Sequence, residues 1–426
     1  MRPVHAPGVF RAWLAVAAAG AVLAGVSSIS LPSPELPRTA SARAGFAVPA
    51  TPDVAVRGLL DRRAAAVRVG DEAAFATTVD PESPPDFQRR QHELFRNLTT
   101  IPATEWTYEL VGTAGARPPV PAADETWAPR VVLRYALTDV DSVPTQRTLG
   151  YVFARRGDSW YLADDAGPGV WRGPWDFGRC HVRRTATGMV IGHDPEPVER
   201  VSRLLDAAVA DVTEIWGPGW PQSVGVLVPA SQEELRSLVG PEFAVDGIAA
   251  VAVADRVDTG ARRAEGQRVV LNPKAADRLS DVALRVVLRH EITHVAARAD
   301  TAAEAPMWML EGFADYVGYR ESGVAPKDIA PDLARRIHEA GPPAKLPEDG
   351  DFHQAGRRLD LAYQQSWSVV SHLADRLGER RLVDLYRRVA ATDSPAEVDG
   401  ALREATGLTK AQLVADWGAG LRRTFG

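Results

Sequence analysis

Cysteine is nearly absent from this chain of 426 residues, which contains only Cys180. A single cysteine excludes an internal disulfide framework and a cysteine-rich zinc site. Basic blocks are absent as well, because 49 basic and 55 acidic residues are spread along the chain and give a net charge of −6. Without a basic stripe the chain lacks the electrostatic footprint of a nucleic-acid-binding protein, so we expect no nucleic-acid partner.

Long hydrophobic runs are scarce, with one exception near the N-terminus. Residues 13–31, WLAVAAAGAVLAGVSSISL, carry no charge and follow Arg2 and Arg11. A basic start, an apolar run and the small-residue site ARA at residues 42–44 are typical of an export signal. The run also has the roughly 17–25 residues that span a bilayer. Residues 1–31 are therefore predicted to be either a cleaved signal peptide or a membrane anchor. Both alternatives place the rest of the chain outside the cytoplasm, secreted or anchored.

The remaining chain has the composition of a globular protein and is too long for one typical domain. Residues 32–52 are rich in Pro, Ala and Ser and are predicted to be a linker. Residues 53–178 open with an Ala- and Arg-rich helix and continue with alternating segments typical of strands, which predicts a small accessory α+β domain. This order resembles the cone-shaped nuclear-transport-factor-2-like fold, in which a curved sheet wraps a helix. No acid–base pair or metal cluster stands out in this part, which favours a binding or spacer role.

Residues 181–426 are predicted to form a second domain with a small sheet followed by a helical half. Short strand-like segments precede Asn272, and the pattern after it is almost wholly helical. The predicted fold class of the whole chain is therefore α+β. The stretch RHEITHVAARADTAAEAPMWMLEGFADY, residues 289–316, lies at the junction between the sheet and the helical half.

Two histidines in this stretch have the spacing of a metal site. Ser280 suits the N-cap of a helix over residues 281–298, in which positions i and i+4 lie about 40° apart. His290 and His294 can therefore point two imidazoles at one ion. The helix is largely apolar, and a metal would remove the cost of burying two unpaired imidazoles. Nine histidines in 426 residues give on the order of 0.01 chance matches to HExxH.

Two acids downstream have the same spacing. Glu311 and Asp315 are i and i+4 on a helix predicted over residues 306–319. A catalytic zinc commonly takes two histidines, a glutamate and a water. A further carboxylate often holds a ligand histidine by its other ring nitrogen. Glu311 fits the third-ligand role, and Asp315 fits the role of the supporting carboxylate.

HEITH at residues 290–294 and EGFAD at 311–315, preceded by Trp308, resemble the gluzincin metallopeptidases, the group of thermolysin and the aminopeptidase N-like enzymes. The likeness covers residues 181–426 and is closest to the bacterial peptidase MA-like domains. It implies that His290, His294 and Glu311 bind Zn²⁺ and that Glu291 is the general base.

The same resemblance implies a role for a tyrosine further along the chain. The segment LAYQQSWSVVSHLADRLG is similar to the downstream helix that carries an oxyanion-stabilising tyrosine in this family, which points to Tyr363. The alternative is a tyrosine that only packs at the start of its helix.

The sequence departs from the family in two ways. His294 and Glu311 are 17 residues apart, which is somewhat short. The segment GIAAVAVA is a candidate edge strand for an extended substrate, but it lacks the acidic motif by which aminopeptidase N-like enzymes bind a free N-terminus. The second departure favours endopeptidase activity.

The leading hypothesis is an exported zinc peptidase that hydrolyses peptide or protein substrates. The alternative is a weak or inactive zincin-fold protein that serves as a binding or sensor protein of the cell envelope. The intact Glu291 argues against this alternative, because a purely structural site needs ligands and has no use for a base.

Overall fold

The structure is a computed structural model that describes residues 51–113, 119–166, 170–240, 248–276 and 278–426. The predicted export segment, residues 1–31, and nearly all of the predicted linker lie outside these ranges. Within them, no helix has both the length and the apolar character needed to cross a bilayer.

The N-terminal part combines helices with antiparallel strands. The helices are α1 (Pro52–Val69), α2 (Glu72–Ala76) and α3 (Pro85–Leu98), and the strands are β1 (Ala103–Thr113), β2 (Glu125–Trp127), β3 (Pro129–Leu137), β4 (Thr145–Leu149), β5 (Val152–Arg156) and β6 (Ser159–Asp164). The strands form two sheets, β1-β3-β4 and β2-β5-β6. In β3 the buried Val131, Leu133 and Tyr135 alternate with more exposed residues, as in a sheet with one face on a core. The α+β character is confirmed, and the assignment to the cone-shaped fold stays a prediction.

The C-terminal part begins with strands and ends with helices. Its first half contains β7 (His181–Thr185), β8 (Gly188–Gly192), α4 (Pro195–Trp216), β9 (Val224–Val228), α5 (Gln232–Val239), β10 (Ala250–Val253), β11 (Arg256–Asp258), β12 (Arg263–Glu265) and β13 (Arg268–Leu271). The helical half contains α6 (Pro273–Ala276), α7 (Asp281–Ala297), α8 (Met307–Tyr319), α9 (Pro326–Ile329), α10 (Pro331–Ala340), α11 (Asp349–Phe352), α12 (Arg357–Leu377), α13 (Glu379–Ala390), α14 (Pro395–Thr406) and α15 (Lys410–Phe425).

Five of these strands form one mixed sheet in the order β10-β13-β9-β8-β7. The central strands β13, β9 and β8 are parallel, and the outer strands β10 and β7 are antiparallel to their neighbours. The segment predicted as an edge strand contains β10, which lies at the edge of this sheet. Strands β11 and β12 form a separate hairpin directly after β10.

The mixed sheet is covered on both faces. On one face, residues such as Val190, Val226 and Val269 pack with α4, α7 and the helical half. On the other face, Ile191 and Val270 pack into the same apolar cluster as the core of the N-terminal part. One contiguous core therefore spans the predicted boundary between residues 178 and 181. That boundary stays a prediction.

Buried ion pairs join the N-terminal part to the end of the sheet near β10. Arg268 donates to both carboxylate oxygens of Asp141 at 2.7 and 2.6 Å, and each side chain is only 4% exposed. Arg147 on β4 pairs with Asp255, which follows β10. Arg268 is the register partner of Val253 in β10. Both pairs therefore connect the N-terminal part to the same end of the edge strand.

We expect Asp141→Asn to lower the free energy of unfolding by about 3–5 kcal/mol, because it leaves the buried Arg268 without a charge partner. Urea denaturation measures this change. The matched control is Asp53→Asn, which breaks a solvent-exposed pair with Arg57 and should leave the midpoint unchanged. Equal midpoints for the two variants would contradict the importance of the buried pair.

Candidate metal centre

Helix α7 presents two histidines from an almost fully buried position. Its N-cap is Ser280, whose hydroxyl accepts a hydrogen bond from the Ala283 N–H, as predicted. His290 is 1% exposed, whereas the side chain of His294 is 20% exposed. The site is therefore more open to solvent beside His294 than beside His290.

Helix α8 brings two acids close to these histidines because it packs tightly on both neighbours. A side-chain carbon at Gly318 would meet the Val286 carbonyl oxygen of α7 at 3.0 Å. A side-chain carbon at Gly312 would meet the Ser366 carbonyl oxygen of α12 at 2.5 Å. Only glycine permits such close helix contacts. Glu311 and Asp315 on α8 are both buried as a result.

Three ligand atoms form a compact triangle. The Nε2 atoms of His290 and His294 are 3.1 Å apart, and each lies close to Oε2 of Glu311, at 3.3 and 3.5 Å. A tetrahedral zinc with ligand bonds of about 2.0–2.1 Å needs ligand atoms about 3.3 Å apart. Oε2 of Glu311 is buried and has no hydrogen-bond partner in the described residues. The triangle therefore fits a zinc ion, with the fourth position left for water.

Asp315 contacts the ring nitrogen of His290 that faces away from the ligand triangle. The Nδ1 atom of His290 lies 2.9 Å from Oδ1 of Asp315, and a carboxylate can only accept, so Nδ1 carries the proton. The Nε2 lone pair of His290 is then directed into the triangle. Such a contact fixes both the tautomer and the ring orientation of a metal-binding histidine.

The charges in the cluster favour a cation at its centre. Burial opposes a charge on His290, yet its contacts with Asp315 and Glu311 outweigh burial and raise its pKa well above the ordinary value. Burial alone would also raise the pKa of Glu311, but the neighbouring histidines lower it to about 2. The lowered pKa of Glu311 indicates that positive charge beside it stabilises its carboxylate. A divalent ion supplies that charge while leaving the histidines neutral.

Glu291 lies next to the triangle and faces the edge strand. It is 2% exposed, and its Oε1 atom has no hydrogen-bond partner in the described parts of the chain. Burial raises the pKa of Glu291 above its ordinary value. The nearby histidines and the backbone N–H of Ala252 act to lower this pKa, but burial has the larger effect. A raised pKa is the condition that suits a carboxylate to accept and return a proton near neutral pH.

Tyr363 lies in the first half of α12 and is 1% exposed. Its hydroxyl is buried without a hydrogen-bond partner among the residues described. Burial raises its pKa well above the ordinary value, and the nearby Glu311, Asp315 and Glu291 add to this shift. The phenol therefore stays protonated and can donate a hydrogen bond. The structure brings Tyr363 to the same cluster as the other candidate residues.

Sequence reasoning missed Arg298, which directly follows α7. Its Nη2 atom donates to the Ala252 carbonyl oxygen of β10 at 2.7 Å. Arg298 comes seven residues after Glu291, so the two positions differ by only about 20° around a helix. That i, i+7 spacing is the signal that could have identified it.

We expect Asp315→Asn to weaken zinc affinity or peptide hydrolysis by about 10–100-fold, the range found when a partner of a ligand histidine is removed. Competition with a zinc chelator measures the affinity. Asp328→Asn, which loses an exposed carboxylate on α9, is the control and should behave like the wild type. Wild-type affinity and activity in Asp315→Asn would show that His290 binds zinc equally well without the Asp315 carboxylate.

Comparisons with known proteins identify distant structural neighbours of this chain. No family model matches the chain, and no curated protein matches it. A two-domain M1 zinc metallopeptidase variant bound to L-arginine is similar at 14% identity and a TM-score of 0.34, over 62% of this chain and 58% of that one. An M1 zinc metallopeptidase variant from Deinococcus radiodurans bound to a Tyr-Ser-Ala substrate is similar at 15% identity and a TM-score of 0.34, over 74% of this chain and 83% of that one. Yeast LTA4 hydrolase is similar at 10% identity and a TM-score of 0.34, over 74% of this chain and 60% of that one.

Two of these neighbours are named as M1 zinc metallopeptidases, and the similarity of all three to this chain is low. The chain spans less than two thirds of the first of these chains and of the yeast hydrolase. A likeness this distant assigns neither an activity nor a substrate to this chain. The resemblance to peptidase MA-like domains stays a prediction.

Proposed function

We propose that this chain is a zinc-dependent peptidase that cleaves peptide bonds with water. The observation that carries the proposal is the triangle of His290, His294 and Glu311, whose ligand atoms are spaced for a tetrahedral zinc. The buried carboxylate of Glu291 beside it supplies the base that a structural zinc site lacks.

Each candidate residue has a separate role in the proposed reaction. Zinc, when bound, lowers the pKa of a water to about 7 and polarises a carbonyl oxygen. Glu291 accepts the proton from the attacking water and returns it to the leaving amine. Asp315 keeps His290 in the orientation and tautomer of a ligand. The buried hydroxyl of Tyr363 donates a hydrogen bond to the oxygen that becomes negative as the carbonyl is attacked.

We assign the substrate to the sheet edge at β10, where Ala252 and Val253 are 7% and 8% exposed. A peptide in an extended conformation can add a strand to an exposed sheet edge and gain main-chain hydrogen bonds. The backbone N–H of Ala252 acts to lower the pKa of Glu291, so a peptide paired beside Ala252 would pass the base. The edge segment carries no acidic group for a free N-terminus, which supports internal cleavage. These features support an endopeptidase that acts on extended peptide segments.

We also propose that the enzyme acts outside the cytoplasm. The support is the uncharged run at residues 13–31 with basic residues before it. Release of the chain by a signal peptidase and retention by a membrane anchor are the two forms of this proposal. N-terminal sequencing of the protein from its native host separates them.

Peptide-library profiling of the purified, zinc-loaded chain tests the proposed function. Half of the library carries blocked N- and C-termini, and the other half has free termini. Cleavage of blocked peptides supports an endopeptidase, whereas cleavage restricted to free N-termini indicates an aminopeptidase. A chelator should stop cleavage, and added zinc should restore it. Absence of cleavage by a chain that holds one zinc would favour the binding or sensor protein.

We expect Tyr363→Phe to reduce kcat by about 10²–10³-fold, the effect of losing one donor to a developing oxyanion. KM should change much less, because that negative charge exists only in the transition state. The control is Tyr386→Phe, which alters a buried tyrosine of the same core whose hydroxyl contacts Thr301. If Tyr363→Phe lowers the melting temperature and leaves kcat intact, the tyrosine has only a packing role.

A further inference from the structure

Arg289 comes directly before the first ligand histidine and is almost entirely buried, at 7% exposure. Its Nε and Nη2 atoms both donate to Oδ2 of Asp211 on α4, the Nε atom at 2.7 Å. Its Nη1 atom donates to the main-chain carbonyl oxygen of Arg320, at the C-terminal end of α8, at 2.7 Å. One guanidinium on α7 is therefore bonded to two other helices at the same time.

The carbonyl of Arg320 is a group for which such a donor is well suited. The last carbonyl groups of a helix have no partner inside the helix, and this end of a helix carries a partial negative charge. A guanidinium supplies both a donor and a positive charge, and its planar fork can bond a carboxylate and a carbonyl together. Because Asp211 holds the guanidinium from the other side, the contact fixes the end of α8 relative to both α7 and α4.

The end of α8 that Arg289 holds lies beside the backbone of a ligand histidine. A side-chain carbon at Gly318 would lie 3.6 Å from Cβ of His290. Gly318 follows Glu311 by seven residues, so the two positions lie about 20° apart on one side of α8. The same side of α8 therefore contacts α7 near Arg320 and carries the third ligand two turns earlier.

The position of Glu311 depends on how α8 lies along α7. His290 and His294 belong to one helix, whereas the distances from their Nε2 atoms to Oε2 of Glu311, 3.3 and 3.5 Å, join two helices. A slide of α8 by a single residue would move Glu311 by about 1.5 Å, but zinc binds a carboxylate oxygen only at about 2.0–2.2 Å. Apolar packing between the helices is not directional. A directional bond at the end of α8 is the contact that opposes such a slide.

We propose that Arg289 is a positioning residue for the metal: together with Asp211 it holds the C-terminal end of α8 against α7 and so sets the distance of Glu311 from the two ligand histidines. The inference rests on the zinc site of the proposed function. The three bonds of the guanidinium go to Asp211 and Arg320, outside the ligand triangle. Its effect on the metal therefore acts through the placement of a helix.

Competition of the full chain with a zinc chelator measures the consequence for metal affinity. Arg289→Met keeps much of the side-chain length and removes every donor, so zinc affinity should fall about 10–100-fold, as for other groups that orient a ligand. Asp211→Ala removes the acceptor that orients the guanidinium, at a side chain that is 33% exposed, and affinity should fall about 10-fold. This second variant decides the question if Arg289→Met does not fold. Wild-type zinc affinity in the folded variants would overturn the inference.

Cobalt substitution separates a shift of Glu311 from a general loss of stability. Visible absorption bands of bound Co²⁺ depend on the number and geometry of its ligands, and they should change in Arg289→Met. The matched control is Arg376→Met, because Arg376 likewise bonds an acid, Asp416 of α15, and a carbonyl oxygen at the end of a helix, that of Thr406 of α14. This control should lower the melting temperature and keep the wild-type spectrum and zinc affinity. A wild-type cobalt spectrum in Arg289→Met would reduce Arg289 to a residue of the fold alone.

The outcomes distinguish this inference from the proposed function. Absence of metal from the wild-type chain would overturn both. A wild type that holds one metal ion and cleaves no peptide would contradict the proposed reaction, and the two measurements would still decide the role of Arg289, because neither depends on turnover. A wild type that holds metal and cleaves peptides, with affinity and spectrum unaltered in Arg289→Met, would overturn the inference alone.

Discussion

Replacing His294 by alanine is expected to leave the purified chain without zinc. The wild type should hold about one ion in a four-coordinate site, with one position open to water. Two chain ligands would remain in the variant, and water would take the place of the His294 imidazole, whose side chain is 20% exposed. Elemental analysis after extensive dialysis measures the change, and peptide hydrolysis should disappear with the metal.

The matched control is His372→Ala, because His372 is a partly buried histidine of α12 that contacts Asp416 at 3.0 Å, away from the triangle. It should keep one zinc per chain. A circular-dichroism spectrum of each variant confirms that the fold is retained. Stoichiometric zinc in a chain that lacks both His290 and His294 would place the ion elsewhere and remove the basis of the proposed function.

Local spacing accounts for the part of the site that could be predicted from the sequence. An i, i+4 pair on a helix is a geometric constraint, so His290 and His294 had to share one face of α7 wherever that helix lay. The same holds for Glu311 and Asp315 on α8. The structure brings the two pairs together and places the Asp315 carboxylate next to Nδ1 of His290. The functional roles of these residues stay predictions until the variants are measured.

Long-range features could not be predicted in this way. Asp141 and Arg268 are 127 residues apart and become a buried pair only through the packing of the N-terminal part on the mixed sheet. Gly312 and Gly318 determine how closely α8 approaches its neighbours, which depends on partner helices that local spacing does not specify. One signal was present: the segments VGVLV and AVAV are continuously apolar, which is typical of strands covered on both faces.

These long-range contacts converge on the edge strand. The pairs Arg147–Asp255 and Asp141–Arg268 secure one end of β10 to the N-terminal part, and Arg298 secures its middle to α7. The strand proposed to bind the substrate is therefore attached to both halves of the molecule. We infer that the N-terminal part holds β10 in place as well as covering the sheet, so disruption of its ion pairs should affect peptide binding together with stability.

Replacing Glu291 by glutamine is expected to reduce kcat by about 10²–10⁴-fold while zinc content and fold are retained. Glutamine has nearly the shape of glutamate, so it fits the same buried position. Its amide cannot accept the proton of the attacking water or return it to the leaving amine, and loss of a positioned base costs a rate of this size. Substrate affinity should change little, because proton transfer belongs to the transition state.

The control for this variant is Glu304→Gln, which removes an exposed glutamate from the connection between α7 and α8 and should keep full activity. Zinc content, melting temperature and kcat are measured on the same preparations. A Glu291→Gln chain without zinc would mean that the carboxylate supports the metal, so its low activity would reveal nothing about proton transfer. A zinc-loaded Glu291→Gln chain with wild-type kcat would exclude Glu291 as the base. Some other group beside the open face at His294 would then have to accept the proton.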